Sequence, residues 1–72
     1  MQKIQRLQDC REDKDLTQID LAKLLDTTQK QYSRWETGQY QIPLDKLIYL
    51  ARLYNVSLDY LVGLTNDKRK YW

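Results

Sequence analysis

The chain has 72 residues, 42% of them hydrophobic and 31% charged, which is enough for one small core and leaves no room for a second. Two glycines, one proline and no long alternating Val/Ile/Thr run leave little material for hairpins, so the fold class expected is all-α. One cysteine and no histidine exclude an internal disulfide, a Cys/His zinc cluster and an imidazole-based triad; no enzymatic activity, metal or cofactor is expected.

No apolar run approaches the roughly 20 residues that span a bilayer, and no secretory leader opens the chain, so a cytoplasmic protein is expected. The net charge of +2 is too small for a bulk electrostatic binder. Any nucleic-acid activity must come from where the charges sit.

In chain order, "KIQRLQDCRED" puts Ile4, Leu7 and Cys10 or Arg11 at helical spacing and predicts a first helix over about residues 2–12. Asp15 falls at the tightest point of the following connection, where a left-handed backbone is tolerable for Asp. Cys10, in step with Leu7, reads as a small buried hydrophobe rather than a redox sensor. In "TQIDLAKLLD", Thr17 with Asp20 three residues on forms the capping pattern that opens a second helix. Ile19, Leu21, Ala22, Leu24 and Leu25 give that helix a broad apolar face, and Asp26 stops it.

Thr28 and Gln31 repeat the capping spacing, and Gly38 suits the left-handed position after a helix, so a third helix covers about residues 29–37. Pro43 keeps Ile42 out of helical geometry. Leu44, Leu47, Ile48, Ala51 and Tyr54 then mark a fourth helix that Asn55 ends, and Ser57 caps a short fifth, "LDYLV", that stops at Gly63. Residues 1–64 form the domain; residues 65–72 form a polar, basic tail without periodicity, expected to be loose and flexible.

The third helix carries the chemistry. With successive residues about 100° apart, Gln29, Ser33, Thr37, Lys30 and Arg34 fall in one arc of about 140°. Tyr32, Trp35, Gln31 and Glu36 fill the other side. Every member of the outward arc can donate a hydrogen bond, and Arg, Lys and Gln are the side chains that match guanine O6/N7 and adenine N6/N7 in the major groove. The only acid between Thr27 and Ile42 is Glu36, on the inner side. A solvated face needs charge alone, and taken in isolation this arc reads as one. Its place after a short connection from helix 2, with small Ala22 mid-helix to permit close crossing, instead predicts a helix-turn-helix.

Over about residues 3–64 the chain resembles the Xre family of lambda-repressor-like and Cro/C1-type domains. The stretches that carry this are "LQDCRE", "LTQIDLAKLL", "SRWETGQYQIP" and "LIYLARLYNVSLDYLVG". The resemblance implies a compact five-helix domain, prokaryotic or phage in origin. It implies binding to inverted-repeat operator DNA as a homodimer, acting as a transcriptional regulator, with repression the expected mode. Carried over residue by residue, it gives base-facing positions to Gln29, Lys30, Ser33 and Arg34. Phosphate contacts go to Gln18, Thr28, Gln31, Thr37, Gln39 and Tyr40, the last through its hydroxyl. Arg11 and Glu36 match a structural ion pair that joins helix 1 to the end of helix 3. Asp15 and Asp26 depart from the pattern, standing where the family often has glycine. Tyr32 departs too, replacing a commoner aliphatic residue.

Tyr49 and Leu53 outside the main arc of helix 4, with Leu58 and Tyr60 in helix 5, supply more apolar surface than a thin core needs and are candidates for a dimer or partner surface. They motivate a second reading: a protein-interaction module, such as an antitoxin or an anti-repressor partner, on the same fold. No small-molecule effector is expected.

Overall fold

The computed structural model describes residues 3–69 and, among them, five helices and no strand: α1 (Gln5–Asp13), α2 (Gln18–Leu24), α3 (Gln29–Thr37), α4 (Leu44–Leu53) and α5 (Leu58–Leu61). Four of the five starts have a local cause; α1 follows extended Ile4 without a side-chain cap. Thr17 Oγ1 accepts from Asp20 N while Asp20 Oδ2 accepts from Thr17 N, closing a reciprocal capping box. Thr28 Oγ1 accepts from Gln31 N and Ser57 Oγ from Tyr60 N, so α3 and α5 are capped from one side only. Pro43, extended, opens α4 without a side-chain cap.

Each stop has a cause as well. Asp15, Asp26, Gly38, Asn55 and Gly63 all adopt positive φ, one after each helix in turn. After α1, Leu16 N reaches Arg11 O and Asp15 N reaches Glu12 O; the same paired bonds recur after α2, α4 and α5. These pairs satisfy carbonyls that the helix ends leave open, and they turn the chain sharply enough for short connections.

The helices meet around Leu7, Leu21, Tyr32, Leu50 and Leu61, all fully buried, with Cys10, Ala22 and Trp35 completing the centre. α2 packs most extensively on α3, α3 also touches α1, and α4 touches α5. The whole measures 30 × 24 × 20 Å. Buried Ala22 lies mid-α2, where its small side chain lets the two helices approach.

Four expectations are corrected. α1 begins at Gln5 rather than near residue 2, because Ile4 is extended and packs on the core from outside the helix; residues 1 and 2 lie outside the described set. The apolar face of α2 is narrower than its sequence, since Leu21, Ala22 and Leu25 are buried while Ile19 and Leu24 are exposed. In α4 the core side is Leu47, Leu50 and Ala51, and Leu44 and Ile48 face outward. Residues 65–69, expected to open a loose tail, are held: Arg6 donates to the carbonyls of Tyr60 and Thr65 and to Asn66 Oδ1, and Ser57 N donates to Lys68 O. Lys70, Tyr71 and Trp72 of that tail lie outside the described residues.

Candidate nucleic-acid interface

α3 has a fixed back. Tyr32 is fully buried, Trp35 nearly so, and Glu36 is only 3% exposed. A carboxylate this deep needs a partner. Arg11 supplies it with two parallel bonds, Nε to Oε2 at 2.9 Å and Nη2 to Oε1 at 3.0 Å, while its Nη1 donates to Leu16 O at 2.8 Å. Burial pushes the Glu36 carboxyl up, and the hydrogen bonds from Arg11, aided by Tyr32 and Gln18, outweigh it and hold the group below its usual range. The Tyr32 hydroxyl lies near enough to favour the charge on Glu36, yet it makes no bond of hydrogen-bond geometry, and neither does the buried Tyr54 hydroxyl. Burial raises both phenols well above their ordinary value.

The front of α3 is free. Gln29, Lys30 and Thr37 are exposed and Ser33 and Arg34 partly so, the arrangement that the helical period implied. Gln18, Gln29, Lys30, Ser33, Arg34 and Gln39 line one shallow open depression, with no carboxylate in its lining. Gln18 is thereby brought from the start of α2 to the side of α3, where its Nε2 also reaches Glu36 Oε1 at 3.4 Å. The only acid of the segment has been withdrawn into the core and neutralised, so the outward field of α3 is that of Lys30 and Arg34.

Four other expected residues lie outside this depression. Thr28 and Gln31 are occupied in the cap of α3, with the Thr28 hydroxyl taken by Gln31 N. Thr37 Oγ1 donates back to Arg34 O. Tyr40 lies against Arg34, whose guanidinium carbon is 5.4 Å from the Tyr40 ring centroid. That contact was not read from the sequence. Its signal is an aromatic residue shortly after an arginine with a left-handed glycine between them.

The candidate partner surface is redrawn. Of Tyr49, Leu53, Leu58 and Tyr60, only Tyr49 is well exposed; the other three pack against the core. The Tyr60 ring is further covered by Arg6, 4.0 Å from its centroid, and by Lys68 at 5.5 Å. The apolar side chains that do reach solvent near this end are Leu44, Ile48 and, most of all, Leu64 at 78%.

Five short helices, the second and third crossing closely through a tight left-handed turn, with a polar and acid-free front on the third, define a helix-turn-helix module. A family model described as helix-turn-helix matches residues 7–61, and the chain belongs to this family of DNA-binding transcription regulators of the Xre type, which are not enzymes. YobD of Bacillus subtilis strain 168, named an uncharacterized HTH-type transcriptional regulator, is 44% identical over 63 residues, covering 88% of this chain and 56% of its own length. YqaE of the same organism, named likewise, is 37% identical over 65 residues, covering 89% of this chain and 56% of its own. The chain therefore spans about half the length of these curated relatives. No solved structure matches it significantly. Among the described residues, no helix is long and apolar enough to cross a membrane and no cluster of potential metal ligands occurs.

Proposed function

We propose that this domain is a sequence-specific transcriptional regulator, acting as a repressor in the cytoplasm, that lays α3 in the major groove of double-stranded DNA. Gln29, Lys30, Ser33 and Arg34 face base edges. Gln18, Thr28, Gln31, Thr37, Gln39 and Tyr40 contact phosphates, with backbone N–H groups and the Tyr40 hydroxyl among the donors. Two copies bind an inverted repeat whose half-sites are about one helical turn apart.

The observation that carries this reading is the contrast between the two sides of α3. Its single acid is sunk in the core against Arg11 while its donors converge with Gln18 on one open surface. A merely solvated helix has no need to bury a carboxylate in order to clear its front. Few cations flank this face, so affinity depends on pairing two copies. The test is selection of binding sites from random-sequence duplex DNA: an enriched inverted repeat is expected, and recovery of no preferred sequence contradicts the assignment.

A second reading, a protein-interaction module such as an antitoxin or anti-repressor partner, is favoured by one observation. Leu44, Ile48, Tyr49 and Leu64 leave apolar surface on the side of α4 and the α5 exit. It predicts co-purification of a protein partner together with no enrichment of DNA.

A further inference from the structure

We infer that Tyr40 is a positioning residue for base recognition: its ring restrains the plane of the Arg34 guanidinium, and so sets the sequence preference at the base pair Arg34 reads. This rests on the DNA-reading function proposed above, and it gives the Tyr40 ring a role separate from that of its hydroxyl.

The geometry follows from the end of α3. Gly38, at φ 84°, turns the chain back on itself. The Arg34 carbonyl then accepts from Tyr40 N at 3.1 Å and from Thr37 Oγ1 at 3.3 Å, so the arginine main chain and the tyrosine are tied to the same turn. With the backbones joined, the two side chains leave side by side, and the guanidinium carbon comes to 5.4 Å from the ring centroid. That lies within the range of about 6 Å in which a cation is attracted to an aromatic face.

No carboxylate or hydrogen-bond acceptor occupies the Arg34 side chain among the described residues, in contrast to Arg11, Arg6 and Arg69, each of which has acceptors. A ring contact restrains the guanidinium through its face and leaves its N–H groups open. A carboxylate partner would fix the side chain but consume the two parallel donors that a guanine O6/N7 edge requires. An unrestrained arginine would keep its donors but lose more side-chain freedom on binding. Arg34 and Gln39 line the same depression, so the restrained group sits at the edge of the surface assigned to the bases.

Tyr40→Phe and Tyr40→Ala separate ring from hydroxyl, and because Tyr40 is half exposed neither change opens the core. The measurements are base preference in a site selected by the parent chain, and the NMR order parameter of the Arg34 Nε–Hε group in the free protein. Arg34→Ala should lower discrimination at one base pair by about 5- to 150-fold, the worth of a bidentate contact. Tyr40→Ala should lower it at that same pair by about two- to fivefold, lower the Arg34 order parameter, and add nothing when combined with Arg34→Ala. Tyr40→Phe should keep both preference and order parameter, at a cost in affinity shared evenly by all sequences. The inference is overturned if Tyr40→Ala weakens every sequence alike without changing preference, or if Tyr40→Phe relaxes preference as much as Tyr40→Ala does. If the parent selects no sequence, the DNA-reading function fails and takes this inference with it; a selected site whose preference ignores Tyr40→Ala removes this inference alone.

Discussion

Arg11 grips Glu36 through two parallel hydrogen bonds, and the same guanidinium holds the carbonyl of Leu16, so one side chain joins α1, the turn after it and the back of α3. Removing it strands a carboxylate that is almost wholly buried. Arg11→Ala should therefore cost about 3–5 kcal/mol near neutral pH, far more than the roughly 0–1 kcal/mol of an exposed pair. In a domain this small that is most of the available stability. Chemical denaturation of parent and variant measures it, and equal unfolding midpoints would refute the role assigned to the pair.

Acid should reverse part of that loss. The Glu36 carboxyl lies below its ordinary value of 4.5 in the fold. Its contribution is therefore fully present above the unfolded value and is lost as pH falls through the folded one. Glu36→Gln should flatten the fall in unfolding free energy below pH 4.5 by up to about 1.4 kcal/mol per pH unit, the slope of one proton. Asp20 and Asp67 are held low as well, chiefly by hydrogen bonds with Thr17 and Arg69, so some acid sensitivity remains in the variant. An unchanged slope would mean that Glu36 does not titrate with folding.

Asp26 turns the chain between α2 and α3 at φ 56°. A left-handed backbone costs an ordinary side chain about 1–2 kcal/mol, part of which Asp escapes. Asp26→Ala should lower the unfolding temperature, while Asp26→Gly should match or exceed the parent, the strain relieved being offset by a freer unfolded chain. Calorimetry on the three proteins ranks them, and Ala outranking Gly is the result this geometry forbids.

The Tyr54 hydroxyl is buried without a hydrogen-bond partner. Since an unmade bond stabilises nothing and its desolvation is a cost, Tyr54→Phe should leave stability unchanged or raise it by about 1 kcal/mol. A loss of that size in urea titration would show that the hydroxyl has a partner after all.

Most of this architecture is legible in the chain because its punctuation is local. Thr17, Thr28 and Ser57 cap helices through residues three positions on, and Asp15, Asp26, Asn55 and the two glycines end them within the same turn. Helical period alone sets Trp35 and Tyr32 away from the arc of Gln29, Ser33 and Arg34, but it leaves Glu36 at the arc's edge beside Gln29, and only the bonds from Arg11 account for its burial. Period does not say how much of a wide apolar face a neighbour covers, which is why Ile19, Leu24, Leu44 and Ile48 read as core and yet face outward. The hold on residues 65–69 was illegible for a different reason: Arg6 reaches them across more than fifty positions of sequence, and nothing in "NDKR" announces that partner. The Tyr40 ring is placed by the Gly38 turn, a loop geometry that composition leaves open.

The measurement that bears most directly on the central claim is site selection from random duplex DNA, repeated with Arg34→Ala and Gln18→Ala. The parent should enrich an inverted repeat with half-sites about one helical turn apart. Arg34→Ala should lose about 1–3 kcal/mol and relax one base pair in each half-site, while Gln18→Ala should weaken all sequences evenly. A parent that enriches nothing, or an Arg34→Ala variant that selects the parental site unaltered, would contradict the assignment of α3 as the reader.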